Sequence, residues 1–465
     1  MELWSAERLF VKGRFENDWG LMIDESGIIQ AIGPRNQLVS KAKKVWHYPG
    51  RLIMPALTNP HHHGFHTIFR GLAHQLDSYE QLIEELLWPL GQLIDDELLE
   101  AVYMTSFAEQ VLSGTVRIGE FHYLHNGAHG QDDHPDYATK IIEIARSLGL
   151  EITLVYAFFD QGSLESAKAF IQPLDESIRR FRNLREKYQD NDQVDVLPGI
   201  HGFQHSSDEA ILAAAELAKE FDCPWHIQLA EREKDLSVAK SHYGTTPLRA
   251  LEKMGVLSDK LVIINGTLLD EEEIQMAARH NCQFVITPVA SLAKGDGIPK
   301  SRDLIKNNLE FSIGSDSSCM NQGESFASEL KWWNYINRGL EQAIGVLGGN
   351  HSGDSIWDLG TIKALKALGQ KGGPLMPGAR ANFMMVDISG PTFRPRWAYN
   401  SDLFMTQLIH GWGARTPVQH LVIKGKTVVR NGFVTHPRFQ EAFFTLDQWS
   451  DAFLKSMSRE KNQSE

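Results

Sequence analysis

Eight short apolar runs alternate with amphipathic stretches between residue 52 and about residue 320, and this alternation limits most how the chain can fold. The runs fall at 52–59, 115–121, 152–158, 194–201, 224–229, 261–265, 283–288 and 311–316. Between them, segments such as 79–112, 137–148, 174–188, 208–221 and 271–280 carry apolar residues at intervals of three and four, the spacing of a helix with one buried face. Eight strand–helix units over roughly 260 residues predict an α/β fold, a (β/α)8 TIM-like barrel. An open doubly wound sheet is the runner-up, but neither G-x-G-x-x-G nor a P-loop follows an early strand.

The flanks have a different texture. Residues 1–51 contain short β-prone runs at 9–13, 20–24 and 27–34, punctuated by Gly and Pro as hairpin turns require. After a further helical region at 326–370, β-rich segments return at 377–387 and 418–432. The simplest assembly makes 1–51 and 371–440 the two parts of a small composite β-sandwich domain around a barrel at 52–370. Residues 441–465 then form a C-terminal helix and polar tail.

Composition narrows the class of partner. With 42% hydrophobic and 23% charged residues the chain reads as a soluble globular protein, and a net charge of −13 disfavours nucleic acid or an anionic membrane as ligand. A small-molecule substrate fits better. The three cysteines, Cys223, Cys282 and Cys319, have no C-x-x-C spacing, so neither a disulfide framework nor a cysteine zinc site is expected. The start lacks a basic segment followed by an apolar core, and no apolar run reaches membrane-spanning length, which together predict a cytoplasmic protein.

In such a barrel the chemistry gathers at the carboxyl ends of the strands. The first run leads into His61 and His63, and because side chains alternate along a strand the two imidazoles project to one side as a ready pair of metal ligands. The second run ends in Glu120-Phe121-His122-Tyr123-Leu124-His125, and the fourth at His201. The fifth carries His226-Ile227-Gln228-Leu229-Ala230-Glu231, the sixth ends in Asn265, and the eighth in Gly314-Ser315-Asp316-Ser317.

Taken together, Pro55-x-x-x-Asn59-x-His61-x-His63, Leu229-Ala230-Glu231, Gly295-Asp296-Gly297-Ile298-Pro299 and Gly314-Ser315-Asp316-Ser317 resemble the amidohydrolase superfamily. Within it the chain is most similar to the deaminase and chlorohydrolase group, and Glu120–His125 resembles formimidoylglutamate deiminase. The likeness runs over nearly the whole chain, including Gly378-Ala379-Arg380-Ala381-Asn382 and Ile423-Lys424-Gly425-Lys426. It implies one divalent metal, zinc before iron or manganese, held by His61, His63 and Asp316. Such an ion makes bound water acidic enough to attack an electrophilic carbon. The resemblance gives Glu231 the task of carrying the proton to the leaving nitrogen.

Two departures bear on that scheme. Gln228 stands where the family has a third histidine ligand, and Asn265 where it has a catalytic histidine. Both amides keep hydrogen bonding and lose basicity, and an amide oxygen is a poor zinc ligand. Gln228 is therefore expected as a weak fourth ligand or a water anchor, and weak or absent metal binding is the alternative it raises. His226 is expected to pack in the core. His201 and Tyr123 match substrate-facing positions, and His125 lies near the expected mouth. Gln204 replaces a carboxylate-clamping arginine, which a neutral amide cannot imitate, and His66 replaces a glutamine. The substrate is then not formimidoylglutamate. Phe65, Trp88, Phe121, Tyr123, Phe158 and Phe159 are candidates for an aromatic pocket suited to a flat guanidino, amidino or heterocyclic group, although aromatic residues near strand ends more often pack in the core.

The reading is a hydrolase acting on a C–N bond of a small guanidino, imino or N-heterocyclic compound. One alternative is a cyclase or lyase on a guanidino-type intermediate with weak metal binding or none, using Glu231, Asp316 and the histidines as acids and bases. Another is a noncatalytic binding protein on the same fold. The family's habit of assembly implies a homodimer or a higher homo-oligomer.

Overall fold

Strand and helix alternate from residue 57 onward because each apolar run is buried on both faces and each intervening stretch buries only one. In a computed structural model describing residues 1–126, 137–162, 165–298, 300–321, 325–342, 353–373, 375–396, 401–412 and 417–464, the barrel strands are parallel. Pro299 of the Gly-Asp-Gly-Ile-Pro motif and part of the expected helical region at 326–370 lie outside these residues. The strands follow one another as Leu57–His63, Thr115–His122, Glu151–Phe158, Val194–Ile200, Trp225–Leu229, Leu261–Asn265 and Gln283–Ile286. The eighth is split into Phe311–Ile313, which pairs with the seventh, and Asp316–Ser317, which pairs with the first, so the sheet closes on itself.

Local chemistry sets the helix ends. Ser207 accepts the amide of Ala210 to start Asp208–Glu220, and Asp270 and Glu273 form a reciprocal capping box on Glu271–Arg279. The short helix Pro288–Lys294 starts with Pro, whose missing amide costs nothing there, and stops at Gly295 in the left-handed conformation at φ 73°.

The expected strand at 52–59 is in fact two strands. Lys44–Pro55 belongs to the terminal sheet, where it pairs with Glu2–Val11 and Phe383–Asp387, and Leu57–His63 opens the barrel. Ala56 lies between them, after a proline with no amide to donate. Hydrophobicity could not show the break because both halves are buried. The first of these strands also crosses the 51/52 division drawn from sequence. The seventh strand is shorter than 283–288, since Pro288 starts a helix.

The terminal sheet contains nine strands taken from both ends of the chain. Helix Phe439–Ser464 packs on Asp96–Leu112 of the barrel. Cys223, Cys282 and Cys319 are buried and unpaired. Among the described residues no helix is long and apolar enough to cross a membrane.

One buried carboxylate joins the two parts. Glu151, at the start of the third barrel strand, accepts Arg117 Nε at 3.1 Å, Arg380 Nη1 at 3.1 Å and Asn382 Nδ2 at 3.0 Å, so barrel and C-terminal segment share it. Glu151→Ala is expected to lower unfolding free energy by about 3 kcal/mol, because it leaves guanidinium charge buried without its partner. Urea denaturation followed by circular dichroism checks this, and Glu151→Gln, which keeps the shape, should cost less.

Candidate functional site

The first and eighth strands are brought together by Asn59. Its Oδ1 accepts the Ser315 amide at 3.1 Å, and its Nδ2 donates to Ser315 Oγ at 2.7 Å and to Gln110 Oε1 at 3.2 Å. A Cβ on Gly314 would sit 3.0 Å from that of His61, so the approach requires glycine at that point. Alternation then sends His62 outward to Glu120, at 2.6 Å, while His61 and His63 face inward over the Phe121 ring.

Asp316 meets them from the eighth strand. Its Oδ1 lies 3.3 Å from His63 Nε2 and 3.9 Å from His61 Nε2, and ligand atoms of the three residues lie within 4.8 Å of one another. Gln228 joins from the fifth strand, with its amide nitrogen 3.1 Å from His63 Nε2 and 3.5 Å from His61 Nε2. The sequence-expected ligand residues therefore converge, and the first three form a candidate metal site. Burial, reinforced by neighbouring His63, holds His61 well below the ordinary histidine range, so its ring is neutral.

Beside this triad lies an ion network that sequence reasoning missed. Lys294, 3% exposed, places its Nζ 2.6 Å from Asp316 Oδ2 and 3.2 Å from Asp296 Oδ2. Arg232 pairs with Asp296 through Nε at 2.6 Å, comes within 3.6 Å of Glu231 Oε2, and lies over the Tyr79 ring at 3.6 Å. Burial opposes charge on Lys294, yet Asp316, Glu231 and Asp296 raise its pKa above the ordinary lysine value. Burial would also lift Asp316, but Lys294 and the histidines hold it well below the usual carboxylate range. In sequence, Lys294 reads as an ordinary cation at a helix C-terminus. Nothing in its spacing announces that it is buried.

Glu231 has the loosest ion pair of these carboxylates, with Arg232 at 3.6 Å. Burial pushes it up to about 7, against the pull of Lys294 and Arg232. Its Oε1 accepts Asn265 Nδ2 at 2.7 Å. The orientation of that amide is determined, since Asn265 Oδ1 accepts both the amide and the hydroxyl of Thr287 at 2.9 Å. Asn265 sits at φ 62°, a left-handed conformation that asparagine tolerates better than most residues. It therefore touches Glu231 rather than offering a proton-transfer group.

The remaining expected residues divide. His66 Nδ1 lies 2.7 Å from Ser317 Oγ and its Nε2 lies 3.0 Å from Tyr123 Oη, with its ring stacked on His63. His201 packs edge-on to Tyr123 at 4.4 Å, and its buried Nε2 has no partner among the described residues. Trp88, Phe159 and His205 continue this wall. By contrast, His125 bonds the Ala157 carbonyl through Nε2 at 2.8 Å and stacks on Tyr156, a packing position and not a pocket one. Gln204 gives its amide to Asp235 Oδ1 at 2.7 Å, while Asp235 Oδ2 accepts the Glu231 amide at 2.9 Å, so Gln204 supports the turn that carries Glu231. Phe158 packs on Phe181, away from the aromatic wall. His125 was expected near the mouth from its nearness to a strand end and Gln204 from a position matched to the family's arginine, and neither tells which way the side chain points once the strand has stopped. His226 is a core residue bonded to the Ala367 carbonyl at 2.9 Å.

The donor set fits a divalent ion in position and not in charge. Lys294 already occupies an oxygen of the ligand carboxylate, and the Gln228 amide nitrogen lies against both imidazole Nε2 atoms. The cations Lys294 and Arg232 match the anions Asp316 and Asp296, so among the described residues of this network Glu231 alone is left to offset two added positive charges in a buried space.

The amidohydrolase family profile matches residues 52–428. A 5-methylthioadenosine/S-adenosylhomocysteine deaminase of Saccharophagus degradans is 24% identical over 422 residues, covering 90% of this chain and 88% of that protein. A 5'-deoxyadenosine deaminase of Methanopyrus kandleri is 23% identical, covering 92% and 93%. Among solved structures, a zinc-bound adenosine deaminase from Xanthomonas campestris superposes with a TM-score of 0.85 at 19% identity, covering 98% of each chain. Zinc-bound atrazine chlorohydrolase from Arthrobacter aurescens also gives 0.85 at 19% identity, covering 96% and 99%. With its barrel, its composite sheet and a family match over most of its length, the chain belongs to the amidohydrolase family and is a hydrolase acting on carbon–nitrogen bonds.

Proposed function

We propose that the chain removes an amino or imino nitrogen from a small, flat, nitrogen-rich compound, releasing ammonia. A heterocyclic amine is favoured over an open-chain amidine because the wall formed by Tyr123, Phe159, His201 and Trp88 suits a planar ring, and because similar proteins are named as deaminases of adenine nucleosides. The observation that carries the reading is Glu231, a buried carboxyl poised at about 7 and held in one orientation by Asn265.

In this reading, ionised Glu231 takes a proton from water as the water oxygen bonds to the carbon bearing the nitrogen. It then returns the proton to that nitrogen as the C–N bond breaks. Asn265 is a positioning residue. His201 Nε2, buried without a partner among the described residues, is offered to a polar edge of the ring, and His66 holds the Tyr123 hydroxyl. No step requires Gln204 or His125.

Glu231→Gln is expected to reduce ammonia release from an accepted heterocyclic amine by about a thousandfold with little change in KM, as loss of a general base predicts. A coupled ammonia assay measures it, and retention of near-native turnover removes the proposal. Activity should rise with pH through about 7, since the base form is the carboxylate, and fall as Glu231 is protonated below that. Asn265→Leu removes a donor to the ionised form, so the inflection of kcat/KM should move to higher pH. An unchanged inflection would assign the titration to another group.

A further inference from the structure

We propose that Lys294 is the resident cation of this site: its ammonium, seated on Asp316, takes the place of a divalent ion, and the chain works without bound metal. The inference rests on reading this cluster of side chains as the catalytic site.

The argument begins with what each ligand atom already faces. Lys294 Nζ is 2.6 Å from Asp316 Oδ2. The Gln228 amide nitrogen, 3.1 and 3.5 Å from the two imidazole Nε2 atoms, can direct an N–H toward each lone pair. The atoms of the three residues that would close on an ion thus already face polar groups of the chain itself. Replacing a histidine by an amide at position 228 gives up a good nitrogen ligand, while the same amide as a donor suits two neutral rings.

Lys294 is also fixed in place. It ends its helix at the left-handed Gly295, its side chain is 3% exposed, and its second partner Asp296 is anchored by Arg232. Arg232 in turn lies against Tyr79. Swinging the ammonium out to admit an ion would leave Asp296 and Arg232 in a changed balance and carry a charge through a packed wall. An ion entering beside it would meet a like charge in a medium where such repulsion is strong.

The ammonium supplies what catalysis needs from a positive centre at this point. Water adding to the carbon places negative charge on the substrate, and a fixed cation beside Asp316 stabilises it without reorganisation. Glu231 remains the proton carrier, so C–O formation, C–N cleavage and ammonia release balance without a further reagent.

The test is zinc binding. Chelator-treated wild type, Lys294→Met, Gln228→His and the double variant are titrated with zinc chloride by calorimetry, with stoichiometry from elemental analysis and folding checked by circular dichroism. Wild type and Gln228→His are expected to bind zinc at least about a hundredfold more weakly than the double variant, the order expected for a like charge in a buried site. Lys294→Met should gain affinity over wild type. Wild type taking one equivalent as tightly as the double variant overturns the proposal. So does Gln228→His reaching that affinity with Lys294 intact, since loss of a ligand would then be the whole explanation. If Lys294→Met and the double variant do not fold, sub-micromolar zinc binding by wild type or Gln228→His overturns the proposal and its absence upholds it. Ammonia release that appears only after zinc is added overturns the inference and leaves the deamination reading standing. Refusal of zinc with no release from any amino or imino compound upholds the inference and removes that reading instead.

Discussion

Closure of the barrel between its first and eighth strands is the constraint on which the site depends. The eighth strand contributes one short piece to the seventh strand and another to the first, with Gly314 and Ser315 at the break. Asn59 bridges that break with bonds in both directions. Because the join lies directly beneath His61 and Asp316, the contact that finishes the fold also sets the separation of the site's donors. Loosening it would separate His61 and His63 from Asp316 before it disturbed the rest of the sheet.

Above the join, polar groups are buried in numbers that the apolar barrel tolerates only because they satisfy one another. Asp316, Lys294, Asp296 and Arg232 form a chain of alternating charge, each link at ion-pair distance. Such a chain contributes less to net stability than its short distances suggest, because desolvation offsets the attraction. Its effect is on order: each group fixes the next. Glu231 sits at the edge of this chain, near Arg232 but hydrogen-bonded to a neutral amide, and burial pushes it up to about 7.

Much of this was legible in the sequence, for physical reasons. Eight apolar runs at helix-separated intervals have few ways to bury themselves, so the barrel could be read from patterning. His61 and His63 could be paired because the side-chain period applies along their strand, whereas Gln228, Glu231, Asn265 and Asp316 were reached through the family resemblance; Asn265 and Asp316 lie at positive φ, where that period does not hold. His125, expected near the mouth, and Gln204, matched to a family position, lie instead on Ala157 and Asp235. Lys294 was invisible for a related reason. It closes a helix, a place where lysine is ordinary, and only the folded structure shows its side chain turned inward onto Asp316.

The amides at 228 and 265 and the lysine at 294 fit together under the proposal above. An amide at 228 alone would leave two imidazoles and a carboxylate around an ion with a poor fourth ligand. A lysine at 294 alone would set an ammonium against such an ion. Together they are compatible: the ammonium pairs with Asp316, and the amide lies beside the two rings that an ion would otherwise join. Asn265 extends the same logic to proton transfer, since a second titrating ring beside Glu231 would add positive charge to a site that already has a fixed source of it, whereas an amide locked by Thr287 adds none. Under the proposals above, the chemistry left to such a site is narrow, being proton movement by one carboxyl next to a fixed cation.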